Sequence, residues 1–338
     1  MTWMTGWGYR KSHVITASAG AGTNYQTCIK VYKTTGVDGT ENGMGKVYVG
    51  SNCRDDFGDI RFTDNDGDTL LDCWMETLSS GVYAVFWVEV ADSLETDPQT
   101  IYVYYSKADA TYPYLATDKA QGVATFLLFD DFSEDTSADW TQDASTRTID
   151  TANKRMIITG GSNSYAWIRN NKAQFTNCLI RAKLAWHTSY VANKPQMGLT
   201  GRVSTLNTGY IMIHDSANRW CIYDVDGGWV ETIGTTGDVL TVDVYYEFKY
   251  SFGTATPMDM KGCKNGTLMV SATDASPSNA NYAGIYADRD GKVDYVKEFY
   301  IRKYVTTEPV HSTWGTEESP VAKRSGSIVP LMEEMMLV

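Results

Sequence analysis

The sequence predicts an all-β protein of two β-sandwich domains, the second the larger, closed by a short helical tail. Apolar residues recur with period two in run after run, the spacing that buries one face of a strand. Threonine, valine, isoleucine and tyrosine are abundant, glycine is plentiful at 29 and proline scarce at 8, a mix suited to strands joined by tight turns. Stretches of helical period are missing before the tail. At 338 residues the chain suits two domains of ordinary size, and 43% apolar with 12% aromatic content is globular rather than disordered.

Residues 8–16 and 25–33 read as the first two strands, joined by a glycine-containing connection over 17–24. A polar, glycine-rich loop over 34–45 leads to a short strand at 46–49. In 55–77, Ile60-Arg61-Phe62-Thr63 alternates as a half-buried strand does, and 70–75 reads as its returning partner. Between them Asp64-Asn65-Asp66-Gly67-Asp68 is turn chemistry: Asp and Asn bond their own backbone amides, and Gly67 takes positive φ without a Cβ clash. Strands at 83–90 and 101–105 complete a first domain over 1–110. Residues 111–122 carry Pro113, lose periodicity and read as a linker. Fourteen candidate strands, from 125–132 to 293–304, then fill 123–306. Turn signals such as Asp226-Gly227-Gly228, Asn265-Gly266 and Asp290-Gly291 separate them, which describes a large double-sheet sandwich. No repeat of propeller or solenoid length is present.

Several blocks in order resemble a widespread microbial β-sandwich family of unassigned function: Trp7, Tyr9, Arg10 and Lys11; Asp59 to Asp66 with Gly67; Trp74 and Glu76; Phe86 to Val90; and Ile101 to Tyr105. In that family the domain is followed by a jelly roll of the concanavalin/laminin-G type opening on an F-x-D-D-F strand. Phe129-Asp130-Asp131-Phe132 stands where it would begin. The resemblance implies a concanavalin-like second domain and a role in presentation and recognition. It also implies neighbouring first and last strands, so that Asp130 or Asp131 would meet Asp294 around a metal. Calcium is the expected ion, because hard cations want carboxylate and carbonyl oxygen. The chain departs from the family at Lys297-Glu298, where an Asp-aromatic pair is usual. Glu308-Pro309 and Trp314 to Glu318 resemble the family's ending.

The extension over 307–338 finishes as KRSGSIVPLMEEMMLV. Pro330 suits a first helical turn, Glu333 and Glu334 its positive end, and Leu331, Met332, Met335 and Met336 form one apolar face. Nine residues do not hold a helix alone in water, so the tail is expected to pack on a partner, in a homo-oligomer or a larger assembly.

A net charge of −12, with no Lys/Arg run to track phosphates, argues against nucleic acid. No apolar window is long enough to span a membrane, and no secretory signal is visible. The resemblance implies an extracellular site, and a virion surface is the other expected location, since a virion component released by lysis needs no signal. None of the six cysteines falls in a C-x-x-C pair. Cys28, Cys178 and Cys221 read as buried thiols, and the spacing leaves a Cys53–Cys73 bridge open.

Glycan recognition needs ring faces and planar polar partners. Trp167, Arg169, Trp186, His187, Tyr210 and Trp229 supply both in the second domain, with a core role as the alternative for each aromatic. No E-x-D-x-x-E glycosidase pattern, G-x-S-x-G elbow or H-E-x-x-H motif is present, and His214-Asp215 neighbours point to opposite faces of a strand. The sequence therefore points to a non-enzymatic, surface-displayed protein that binds glycan or adheres within an assembly such as a viral spike, fibre or capsid decoration. Its rivals are a carbohydrate-active enzyme with a non-standard site and a purely structural subunit.

Overall fold

The computed structural model describes residues 2–110, 119–143, 145–161, 166–172, 175, 177–187, 196–206, 208–225, 230–237, 239–253, 256–275, 282–287 and 293–320. The first sandwich contains β1 (Tyr9–Ile15), β2 (Tyr25–Tyr32), β3 (Gly39–Glu41), β4 (Met44–Tyr48), β5 (Arg61–Thr63), β6 (Cys73–Ser79), β7 (Tyr83–Val90) and β8 (Gln99–Tyr105). After α1 (Lys119–Thr125), the second contains β9 (Leu128–Asp130), β10 (Trp140–Gln142), β11 (Thr146–Asp150), β12 (Arg155–Thr159), β13 (Ala166–Asn170), β14 (Cys178–Trp186), β15 (Met197–Val203) and β16 (Tyr210–His214). It continues through β17 (Arg219–Asp224), β18 (Val230–Thr236), β19 (Tyr246–Phe252), β20 (Met258–Lys264), β21 (Thr267–Asp274), β22 (Tyr282–Ala287) and β23 (Val293–Lys303). The chain then returns to the first sandwich as β24 (His311–Trp314).

The protein is all-β, as the period-two patterning requires. In the first sandwich the sheet β24-β1-β8-β5 faces β3-β4-β2-β7-β6 across a core that includes Ile29, Val31, Phe62, Phe86 and Val103. In the second, β10-β13-β22-β15-β16-β17-β18 faces β11-β12-β23-β14-β19-β20-β21, with β9 added on β23. Alternate residues point inward there: Ile168, Ile285, Leu199, Met212 and Ile222 lie in register across one sheet and meet Ile180, Phe248 and Val296 from the other.

Two expectations are corrected. The 60–75 stretch is not a hairpin within one sheet: the turn closes where Asp64 N donates to Thr69 O, but Leu71 dives into the core and β6 joins the opposite sheet, leaving only an isolated Thr63–Leu70 bridge. Residues 311–318, read as part of a terminal extension, instead finish the first sandwich. There β24 pairs with β1 and Glu318 bridges Arg10. Residues 321–338, including Leu331, Met332, Met335 and Met336, lie outside the described residues.

The two sandwiches meet through one end of the β2-β7-β6 face. Trp74, Val85, Trp87 and Cys28 pack on Phe126, Phe129 and Tyr300, with Phe126 stacked on Tyr300 at 4.2 Å. At the centre sits Arg181, its side chain 2% exposed, held by Glu76 from the first sandwich (2.8 Å) and by Glu247 (2.9 Å) and Glu298 (2.8 Å) from the second. Burial opposes the arginine's charge, but the surrounding Tyr300 and carboxylates outweigh it and raise its pKa. Both Glu76 and Glu298 occupy strand irregularities, and Glu298 has φ of 49°. A bulge re-aims a side chain that regular pleating would direct elsewhere, and here one bulge in each sandwich turns a carboxylate onto the same guanidinium. Lys303 N donates to Gln26 Oε1 at 3.0 Å, and Tyr25 Oη donates to Glu308 at 2.9 Å.

Candidate functional site

The register of the seven-stranded sheet defines what its outer face offers. Trp167, Tyr286, Gly198, Ile213 and Cys221 form one row across β13, β22, β15, β16 and β17. Arg169, Gly284, Thr200, Ile211, Tyr223 and Glu231 form the next. The glycines are steric necessities: a Cβ on Gly198 would lie 1.9 Å from the Met212 carbonyl oxygen, and one on Gly284 1.9 Å from that of Ile168. Adjacent backbone thus comes closer on this face than side chains permit.

Where β16 turns into β17 the face becomes polar. Asp215 Oδ1 accepts from the amides of Ala217 (2.9 Å) and Arg219 (2.8 Å), which fixes the turn, while its Oδ2 accepts from Arg219 Nε at 2.8 Å. The same guanidinium reaches Glu231 at 3.1 Å, and Tyr223 Oη donates to Glu231 at 3.0 Å. Burial raises the Asp215 carboxyl, but the amide and guanidinium of Arg219 outweigh it and hold it below the usual carboxylate range. The Arg219 and Glu231 side chains remain 39% and 36% exposed. Asp215, Arg219 and Tyr223, together with Gln196, Ile213 and Tyr286, line a cleft of about 460 Å³. On the neighbouring strands Arg169 lies over Tyr282 at 4.3 Å and donates to Ser204 O at 2.7 Å.

Of the expected glycan residues among those described, only Trp167 and Arg169 share this outer face. Trp167 is 2% exposed, packed edge-on against Tyr286, so its ring face is covered. Trp186 and Tyr210 are corrected to core residues at 5% and 1% exposure. Trp186 points inward toward His214, and the Tyr210 hydroxyl donates to Asp274. His187 stands on the other sheet with Nδ1 at 2.8 Å from Asp243 Oδ1. Trp229 lies outside the described residues. Sequence reasoning passed over Tyr223, Arg219 and Glu231, and weighed Asp215 only as a partner for His214. The alternation Arg219-x-Cys221-x-Tyr223 across from Glu231 was the available signal, but it becomes a cluster only once the register is known.

The structure does not pair the expected metal ligands. Strand β9 does pair with β23, but Asp130 sits opposite Phe299, five residues from Asp294, which is about 16 Å along a strand. Asp130 is engaged by Phe132 N, the Thr136 hydroxyl and the Trp140 indole, and burial pushes its pKa up despite them. Asp131 accepts from the Ser133 amide and hydroxyl. These are turn-holding carboxyls. Among the described residues no group of three or more His, Cys, Asp or Glu side chains is placed to hold a metal ion. All six cysteines are free, so Cys53 and Cys73 are not bridged.

Residues 56–143 match a family described as a domain of unknown function, DUF2341. That span begins in the first sandwich, crosses the junction at Trp74, Glu76, Trp87, Phe126 and Phe129, and ends just past β10. No curated protein matches the chain. Among solved structures it is similar to a carbohydrate binding module from Bacillus subtilis, at 13% identity over 49% of this chain and 96% of that one, TM-score 0.41. It is also similar to a Bacillus subtilis protein of unknown function with a galectin-like fold, at 8% identity over 54% and 97%, TM-score 0.43. A third is an alginate lyase from Chlorella virus, at 10% identity over 53% and 100%, TM-score 0.41. These likenesses are remote. No helix among the described residues is long and apolar enough to cross a membrane.

Proposed function

We propose that the protein is a non-catalytic glycan-recognition protein whose site is the cleft at the β16–β17 turn. The observation that carries this reading is the fixed Asp215–Arg219–Glu231–Tyr223 network, whose Arg219 and Glu231 stay partly exposed at the rim of a buried apolar face. Sugars present vicinal hydroxyls around an apolar ring face. A guanidinium clamped between carboxylates, beside a half-buried tyrosine, offers planar donors and acceptors that lose little freedom on binding. Glycoside hydrolysis would require a carboxyl kept protonated near neutral pH, and Asp215 is pushed the other way.

A glycan array with the full chain, followed by titration of the best saccharide, tests the proposal. Arg219→Met and Tyr223→Ala are expected to weaken binding at least about tenfold, as loss of a charge-assisted hydrogen bond would. Unchanged affinity in both variants, or release of reducing ends from the bound saccharide, would sink it. The proposal extends, on the sequence pattern alone, to assembly through Leu331, Met332, Met335 and Met336. Light scattering should then find an oligomer for the full chain and a monomer for a chain ending at Pro320, and two monomers would remove that part.

A further inference from the structure

A second cleft, of about 490 Å³, opens where the two sandwiches meet. That is a volume typical of small-molecule sites, and domain junctions are where such sites concentrate. Its lips are two Asn-Gly turns, Asn42-Gly43 from the first sandwich and Asn265-Gly266 from the second, all four residues at positive φ. A Cβ on either glycine would meet nothing within 4 Å, so the mouth is open. Met44 and Trp87 form an apolar wall, and Lys249 and Arg302 stand opposite carboxylates in the interior.

Which ligand chemistry suits this cleft follows from counting what is already used. Glu76 Oε1 accepts from Arg181 and Oε2 from the Trp87 indole. Glu247 Oε1 faces Lys249 at 2.7 Å and Oε2 faces Arg181 at 2.9 Å. Glu308 takes a two-pronged contact from Arg302, and Tyr25 Oη adds a third donor. Every carboxylate oxygen is thus accepting within the protein. The donors are not used up. Arg302 is 6% exposed, yet its Nε–H has no acceptor, and Lys249 keeps ammonium hydrogens beyond its contact with Glu247. A buried cationic donor without an acceptor is costly, and a ligand that brings one recovers that energy. Arg181, Lys183, Lys249 and Arg302 balance Glu76, Glu247, Glu298 and Glu308, so an anion meets no net local repulsion. The chain's overall −12 is largely screened beyond about 8 Å at physiological salt.

We propose that the junction cleft is a binding site for a carboxylate-bearing sugar of the uronic-acid class. The carboxylate lies against Lys249 and Arg302 Nε, and the ring lies against Met44 and Trp87. The site exists only while the sandwiches are docked, because each contributes one wall. It is independent of the β16–β17 cleft.

The test is titration of the full chain with D-glucuronate, with D-glucose and acetate as controls, followed by calorimetry or two-dimensional NMR. Saturable glucuronate binding is expected, with glucose and acetate at least about tenfold weaker. Lys249→Gln, at a side chain 28% exposed, should weaken glucuronate about tenfold or more. Met44→Trp, which fills the wall, should abolish binding, and Tyr223→Ala should leave it unchanged. Absence of saturable binding at millimolar glucuronate overturns the proposal. So does equal binding of glucose or acetate, or affinity that falls in Tyr223→Ala but not in Lys249→Gln or Met44→Trp.

Discussion

His13 and His311 show how single residues hold the chain end in place. His13 Nδ1 lies 3.2 Å from the Thr313 carbonyl and must donate to it, which leaves Nε2 to accept from His311 Nδ1 at 2.7 Å. His311 Nε2 then accepts from the Thr27 hydroxyl at 2.9 Å, so the relay joins β1, β24 and β2 across both sheets of the first sandwich. Trp314 stacks on His13 at 3.8 Å. Burial lowers both histidines, His13 further through its neighbour, to about 3 and about 4. A depressed pKa means that the unfolded chain takes up protons first: the stability is complete above the unfolded value near 6.5 and is lost as pH falls toward the folded values. Urea midpoints should therefore fall between pH of about 6.5 and 4.5, where most carboxylates stay ionised in both states. A flat profile over that range would contradict the relay. Nothing in the spacing of His13 and His311 in the sequence showed that they touch. The same holds for the Trp7–Arg10 motif: Trp7 Nε1 donates to Asp59 O, while Arg10 lies over Trp3 and Tyr102 and pairs with Glu318 from the other end of the chain.

At the scale of strands, period two proved sufficient to find most elements and insufficient to say which sheet each joins. Trp140–Gln142 and Gly39–Glu41 were passed over because three residues carry no period. The 64–69 turn was legible in full, since Asp66 accepts from the Asp68 and Thr69 amides and the Thr69 hydroxyl. The crossing of β6 to the other sheet was not, because it depends on where Trp74 finds aromatic partners. Glu298 departs from the resembled family at a position the structure explains: it bulges to meet Arg181 and Lys183 at the junction. The outer-face glycines give a direct test of strand spacing. Gly198→Ala and Gly284→Ala each drive a methyl into a neighbouring carbonyl and should cost about 3 kcal/mol or more, whereas Gly266→Ala meets open space and should cost only about 1–2 kcal/mol for its left-handed backbone. Equal denaturation midpoints for the three would refute the close approach.

The whole molecule behaves, on this account, as one body with two recognition clefts rather than two beads on a linker. Glu247 and Glu298 are raised by burial but held below the usual carboxylate range chiefly by Arg181, so the junction is strongest above their unfolded values and loosens in acid. Arg181→Met would take from Glu76 its cation and leave Glu247 and Glu298 with one lysine each, and should destabilise by about 3–5 kcal/mol, splitting a single unfolding transition into two. A single unshifted transition in that variant would mean the junction contributes little. We propose that ligand meets the protein at the β16–β17 turn. Amide hydrogen exchange, with and without the saccharide selected on the array, measures this most directly. Protection concentrated in residues 215–223 and at Glu231 is predicted, and protection confined to the opposite sheet, or none at saturating ligand, would contradict it.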